Sequence, residues 1–97
     1  MTVKFHPAAR VELREARRWY EERSPMAAAA FADVANGAIA RIAEAPNRYP
    51  ARDYHTHHFV LERFPFTVVY QIREHEIVIV AFAHQSRKPG YWRERES

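Results

Sequence analysis

The chain has 97 residues, of which 47% are hydrophobic and 28% charged, and its formal net charge is +3. This length and composition are typical of one compact domain and leave no room for a long disordered tract. Because the sequence contains no cysteine, disulfides, thiolate nucleophiles and cysteine-bound zinc or iron–sulfur sites are excluded.

The first half of the chain predicts a short strand followed by two helices. Residues 2–5, TVKF, suit a strand, and Pro7 is well placed as the first residue of a helix. The apolar side chains of this helix recur at helical spacing: Ala9, Leu13, Ala16 and Tyr20. Ser24 as N-cap and Pro25 after it predict a second helix, which must stop near Pro46 because the residue before a proline disfavours helix. We therefore expect a helical hairpin.

Beyond residue 50 the hydrophobic period changes from that of a helix to that of a strand. Strands are predicted at residues 57–64, 66–73 and 76–84, with REHE as the turn between the last two. Strands this close in sequence pair as an antiparallel meander. The expected fold class is α+β, a single domain over residues 1–97 in which the N-terminal strand and the meander form one small sheet beside the helical hairpin.

The last predicted strand is apolar on both faces. Strict alternation gives one row of Ile77, Ile79, Ala81 and Ala83, and a second row of Val78, Val80, Phe82 and His84. One helical hairpin covers only one face of a sheet, so the second row needs another cover. The tail, residues 89–95, can fold back through Tyr91 and Trp92, and a partner chain can supply the remainder. We expect Val78, Val80 and Phe82 to be partly exposed in the isolated chain, which predicts weak solubility without that partner.

The stretch RFPFTVVYQIREHEIVIVAFAHQSRKPGYWRER resembles the RelE/ParE superfamily, the toxins of bacterial type II toxin-antitoxin modules, and in particular its ParE-like branch. The shared features are FPF before an apolar strand ending in tyrosine, then a second strand that runs into AHxxRxPxYW. The helical hairpin is similar too, with Leu13, Ala16, Tyr20, Phe31, Ile42 and Pro46 at matching positions. The resemblance implies a toxin that inhibits growth when free and is neutralised by a cognate antitoxin in a hetero-oligomer.

The resemblance leaves the target open. ParE-like members are DNA gyrase inhibitors without settled cleavage chemistry and without a cofactor, which is our first expectation. RelE-like members are ribosome-dependent mRNA endonucleases, and such cleavage needs proton-transferring groups and cations. The candidates for that chemistry are Arg63, His84, Arg87 and Tyr91. Against it, HTHHFVLERFPFTVVY contains no lysine, whereas the nuclease branch typically carries lysines there. A fold that binds the antitoxin without being toxic is the third possibility.

Several side chains are predicted to contact the partner: Val78, Val80, Phe82, Arg87, Tyr91 and Trp92. No metal site is predicted, because His55 and His57 would share a strand face without a third ligand while His58 points the other way. The N-terminus lacks the apolar region of a signal peptide, and no apolar run reaches the roughly 20 residues of a membrane helix. We therefore expect a cytoplasmic protein with no membrane contact.

Overall fold

The computed structural model describes residues 1–95, which form a five-stranded sheet and two long helices. The strands are β1 (Thr2–Phe5), β2 (Ala51–Arg52), β3 (Thr56–Val60), β4 (Phe66–Arg73) and β5 (Glu76–His84), and the helices are α1 (Pro7–Arg23) and α2 (Pro25–Glu44). The strand order is β1-β5-β4-β3-β2. Only β1 pairs in parallel, with β5, and the remaining pairs are antiparallel. The predicted α+β class is confirmed.

Both helices begin where the sequence predicts. The His6 ring accepts a hydrogen bond from the Ala8 N–H at 3.0 Å, and Ser24 Oγ accepts one from the Ala27 N–H at 3.2 Å. Each cap is followed by a proline at the first helical position, where the missing N–H is not needed. The second helix is long and apolar enough to cross a membrane by composition alone, a test that core helices also pass. Its buried residues, among them Phe31 and Ile42, pack against the sheet.

The predicted meander needs two corrections at its start. Strand β3 ends at Val60 rather than residue 64, because the Leu61 N–H donates to the Phe66 carbonyl at 3.0 Å and closes a turn between them. Arg63 lies in that turn with φ 65°, a left-handed conformation that does not occur inside a strand. The two-residue strand β2 was not predicted.

A β-bulge in β5 overturns the predicted division of that strand into two rows. Val69 pairs with Ala81 but Tyr70 pairs with Ile79, so Val80 is an extra residue in β5. An inserted residue reverses the alternation of the side chains beyond it. On the helix side lie Ile77, Ile79 and Phe82, and on the rear side lie Val78, Val80, Ala81 and Ala83. The expectation that Phe82 shares a face with Val78 and Val80 is therefore wrong.

The rear side of the sheet is covered by the chain's own tail. Trp92 packs against the rear side chains with Tyr91 beside it, and Val78, Val80 and Phe82 are each 1% exposed. The expected exposure of these three residues is therefore wrong, because the bulge turns Phe82 towards the helices and the tail shelters the other two. Of the two covers that the sequence suggested, the tail is the one present in the isolated chain.

Gly90 permits the tail to reverse onto the sheet. Its φ is +80°, a backbone conformation that residues other than glycine rarely adopt. A Cβ at this position would lie 3.4 Å from the Tyr54 ring. The backbone therefore passes close to Tyr54 and brings Trp92 to the rear side.

Candidate functional site

A pocket of about 360 Å³ opens between α1, the β3–β4 turn, the end of β5 and the tail. It is lined by Glu12, Glu15, Ala16, Trp19, Tyr20, Pro65, Phe66, Phe82, His84, Arg87 and Tyr91. Most of this lining is aromatic or aliphatic, which is typical of sites that receive an apolar group of a ligand or partner.

The floor of the pocket is rigid because its aromatic rings pack on one another. The Phe66 and Phe82 ring centroids lie 5.2 Å apart, and both rings contact Phe31 of α2. Tyr20 stacks on Phe31 from the α1 side, with 5.0 Å between centroids. By contrast, Trp19 at the rim is 50% exposed. The pocket therefore has a fixed floor and one large aromatic side chain open to solvent.

One carboxylate joins the wall of the pocket to the tail. Glu12 Oε1 accepts hydrogen bonds from the Phe82 N–H and from Arg95 Nη1, both at 2.9 Å. Its Oε2 accepts from the Tyr91 hydroxyl at 2.6 Å and from Arg95 Nη2 at 2.9 Å. Arg95 also donates to the Val80 carbonyl at 3.0 Å. This group, the Glu12 cluster (Glu12, Tyr91, Arg95), holds the tail closed with a two-point ion pair.

The Glu12 cluster lies where the sheet has an open edge. Strand β1 pairs with β5 only as far as Ile79, so within residues 1–95 no strand lies beside the backbone groups of Val80 and Phe82 on that side. Buried backbone groups need a hydrogen-bond partner, and Glu12 and Arg95 provide it. The same contacts block the edge against pairing with another strand.

Burial and hydrogen bonding fix the charges of this cluster. Burial by itself raises the pKa of Glu12, but the hydrogen bonds from Arg95, Tyr91 and the Phe82 N–H outweigh it, so the net pKa is lowered. Burial and the hydrogen bond to Glu12 raise the pKa of Tyr91, and the hydrogen bond to Glu12 raises the pKa of Arg95. At neutral pH the cluster is a carboxylate held by a guanidinium and a neutral phenol.

Guanidinium groups border the pocket at two places. The Arg87 Cζ atom lies 3.9 Å from the centroid of the Tyr91 ring, and the Arg23 Cζ atom lies 3.4 Å from that of Trp19. Within residues 1–95 no carboxylate lies within ion-pair distance of the exposed Arg87. The opening of the pocket therefore carries positive charge beside Arg87, while its lining combines an aromatic floor with the carboxylates of Glu12 and Glu15.

His84 stands at the end of β5 beside the pocket and is exposed. Its Nδ1 accepts a hydrogen bond from the Ser86 N–H at 3.0 Å, and its ring meets the Phe66 ring edge-on at 5.0 Å between centroids. In this arrangement the proton of the neutral ring is on Nε2.

The structure brings together three of the four residues proposed for RNA cleavage. His84, Arg87 and Tyr91 line the pocket, whereas Arg63 lies at the exposed β3–β4 turn and does not. The Tyr91 hydroxyl is also engaged by Glu12.

The residues predicted to contact a partner divide between the two sides of the sheet. Phe82, Arg87 and Tyr91 line the pocket, while Val78 and Val80 are buried on the rear under Trp92. Sequence reasoning missed Glu12 and Trp19. The one signal for Glu12 was its place next to the core stripe of α1, which does not identify a partner 83 residues away.

The neighbouring histidines make local contacts. His57 Nδ1 lies 2.7 Å from the Tyr49 carbonyl, and His58 Nε2 lies 3.1 Å from Thr56 Oγ1. Burial and then the nearby Arg52 charge lower the pKa of His58. His55 belongs to a 3-10 turn rather than to a strand. In the part of the chain that the structure describes, no group of metal-ligating side chains gathers.

Solved structures share this fold. A chain from "Chromosomal ParDE TA system from P. aeruginosa" superposes with a TM-score of 0.75 at 19% sequence identity, over 87% of this chain and 95% of that one. The hairpin on a small sheet is thus a fold used by toxin-antitoxin proteins. The family model described as "ParE toxin of type II toxin-antitoxin system, parDE" matches residues 3–89. The chain belongs to the ParE toxin family. Comparison with curated proteins gave no significant match.

Proposed function

We propose that this ParE-family toxin inhibits DNA gyrase in the cytoplasm when it is free and is neutralised by a cognate antitoxin. The observation that carries the proposal is the family match over residues 3–89. The ParE-like branch, as the sequence resemblance implies, is the gyrase-directed branch of the superfamily. Toxin and antitoxin then form a hetero-oligomer whose interface includes the pocket.

The arrangement of the side chains favours inhibition by binding over RNA cleavage. Cleavage through the 2′-hydroxyl of RNA needs a base, an acid and cations around one phosphate. Arg63 lies outside the pocket, and the Tyr91 hydroxyl is held by Glu12. His84 and Arg87 remain for both proton transfer and charge stabilisation, which is a small set for that reaction.

The pocket fits one apolar side chain of the antitoxin followed by a carboxylate. The aromatic floor accommodates the apolar group, and the exposed Arg87 guanidinium can form a two-point ion pair with an acidic residue beside it. Deep pockets that receive one anchoring side chain commonly contribute most of the binding energy of an interface. We therefore propose this pocket as a principal contact of the antitoxin.

The target is tested by assaying the purified chain against gyrase and against translation in parallel. We expect loss of supercoiling and accumulation of gyrase-linked DNA breaks, with translation unaffected at the same concentration. If the chain instead cuts ribosome-bound mRNA and His84→Ala abolishes the cutting, the gyrase proposal is wrong and the nuclease alternative is correct. If it inhibits neither system yet binds the antitoxin, it is a binding fold without toxicity.

The antitoxin contact is tested with Arg87→Ala and a matched control, Lys88→Ala. Both positions are exposed and adjacent, but only Arg87 lines the pocket. Removing a charge-assisted hydrogen bond should weaken antitoxin binding roughly tenfold for Arg87→Ala, and Lys88→Ala should bind as the parent does. Equal affinities for the two variants, measured by titration calorimetry, would place the antitoxin elsewhere.

A further inference from the structure

A second surface, on α1 and away from the pocket, carries a row of arginines. We name it the arginine face, and its members are Arg10, Arg14, Arg17 and Arg18. All four side chains are exposed. Their spacing of four, three and one residues gathers them on one flank of the helix, while Ala9 and Ala16 on the opposite flank are buried.

None of these guanidinium groups has an acidic partner in residues 1–95. The ion pairs that form in this part of the chain join Lys4 to Glu76, Arg23 to Glu22, and Arg95 to Glu12. Glu21 and Glu22 follow Arg17 and Arg18 at i+4, but that order of charges is the weaker one, and neither pair is made. Like charges one helical turn apart repel each other, so the four guanidinium groups concentrate positive charge on this flank, with Glu21 and Glu22 at its C-terminal end.

The dimensions of the face match a run of phosphates. From Arg10 to Arg18 the helix rises about 12 Å. One strand of duplex DNA has a phosphate about every 3.4 Å along the axis, so the row matches the axial rise of about three of them. Arginine forks bind phosphate oxygens at two points. A pI of about 9.6, with basic residues clustered along a helix, is the electrostatic pattern of a nucleic-acid-binding domain.

We propose that the arginine face binds the sugar–phosphate backbone of duplex DNA without sequence preference. Single strands fit less well, because their binding sites stack bases on exposed aromatic rings. Phe5, the ring beside the row, has the Arg10 guanidinium over it, with Cζ 4.8 Å from the ring centroid. Trp19 belongs to the rim of the pocket. The proposal uses none of the pocket residues and does not depend on which target the toxin inhibits.

The test compares two triple variants of the full chain that remove the same amount of charge. Arg14→Gln/Arg17→Gln/Arg18→Gln removes three of the four arginines of the face, and Arg41→Gln/Arg48→Gln/Arg52→Gln removes three exposed arginines from other parts of the chain. Glutamine keeps helix propensity close to that of arginine. Binding to a short mixed-sequence DNA duplex is followed by fluorescence anisotropy between about 50 and 200 mM salt.

We expect the parent and the control variant to bind with the same dependence on salt. The face variant should bind roughly tenfold or more weakly at low salt, and the slope of log K against log salt should fall by about 2.7, or 0.9 for each phosphate that is no longer neutralised. Arg14→Lys/Arg17→Lys/Arg18→Lys keeps the charge and should retain most of the slope. Circular dichroism of the glutamine and lysine variants shows whether each is folded, so that weaker DNA binding is not mistaken for misfolding.

Three results would overturn the proposal. The parent could fail to bind duplex DNA at low salt, or the affinity could fall equally in the face and control variants, which would mean that net charge alone attracts the DNA. The chain could also bind polyglutamate through the arginine face more tightly than it binds DNA, and the face would then be a site for an acidic protein segment.

Discussion

Among single residues, Glu12 makes more tertiary contacts than its place in the sequence suggests. It satisfies a backbone N–H of β5, holds Arg95 at two points and accepts the Tyr91 hydroxyl. The Glu12–Arg95 ion pair is mostly sheltered, with side-chain exposures of 14% and 18%. Removing one partner of a sheltered ion pair destabilises the fold, because the other charge remains in place without a counter-charge.

Glu12→Gln should lower the free energy of unfolding by about 2 to 3 kcal/mol, somewhat less than the loss for a fully buried pair. The matched control is Glu15→Gln, which is exposed on the same helix and should change stability by less than about 0.5 kcal/mol. Urea unfolding followed by tryptophan fluorescence measures both. Equal stability of the two variants would show that the Glu12 cluster does not hold the fold.

The lowered pKa of Glu12 also makes a prediction for acid stability. A carboxyl whose pKa is lower in the folded than in the unfolded state stabilises the fold above its ordinary pKa of 4.5. That contribution is lost as the pH falls through the folded pKa. Between neutral pH and about pH 3 the parent should therefore lose more stability than Glu12→Gln. Parallel curves of unfolding free energy against pH would contradict the assignment.

At the scale of elements, the tail acts as the second layer of cover on the sheet. Trp92 is 8% exposed on the rear side, and its contacts include the edge of the His58 ring. Its indole Nε1 is buried without a hydrogen-bond partner in the described residues. The attachment of the tail therefore depends on apolar burial and on the Glu12 cluster, not on the indole N–H.

The chain's two tryptophans provide a matched comparison. Trp92→Ala should lower the free energy of unfolding by about 3 kcal/mol. This is the lower end of the range for replacing a buried large aromatic by alanine, because no indole hydrogen bond is removed. Trp19 is 50% exposed, so Trp19→Ala should lower the free energy of unfolding by about 1 kcal/mol or less, mainly through loss of the stacking with Arg23. Only the first should increase binding of a hydrophobic dye. If urea unfolding gives the same loss of stability for both variants, the packing of the tail on the rear of the sheet contributes little to stability.

Elements with local signals were predictable from the sequence, and those set by distant contacts were not. Pro7 and the Ser24–Pro25 step define the helix starts, because a cap and a fixed φ are local properties. The bulge at Val80 depends on how β5 meets β4, and no pattern within β5 marks it. His84, Arg87 and Tyr91 could be proposed together from the sequence because they follow one another at the end of a strand, and all three line the pocket. Glu12 was not, because its partner Arg95 lies 83 residues away in the chain.

At the scale of the whole molecule, the two faces of the sheet are closed in different ways. The helical hairpin covers one face and the tail covers the other. The expected weak solubility of the isolated chain rested on exposed Val78, Val80 and Phe82, and their burial removes that reason. Among residues 1–95, the pocket beside α1 is a concave and largely apolar surface that a partner can enter.

We therefore predict that the isolated chain is a monomer in analytical ultracentrifugation and does not bind a hydrophobic dye strongly. A chain that ends at Lys88 lacks Tyr91, Trp92 and Arg95, and it should bind the dye and self-associate because the rear of β5 is uncovered. A parent chain that aggregates as readily as the shortened one would show that the tail does not stay closed in solution.

Because Glu12 belongs both to the wall of the pocket and to the seal of the tail, events at the two places are thermodynamically linked. An occupant that leaves this carboxylate in position favours the closed tail, and by reciprocity the closed tail raises the affinity for that occupant by the same factor. An occupant that draws Glu12 away would have the opposite effect. Hydrogen exchange at the Arg95 amide, which donates to the Trp92 carbonyl at 2.8 Å, distinguishes the two cases: it becomes slower when the occupant favours the closed tail and faster when the occupant opens it.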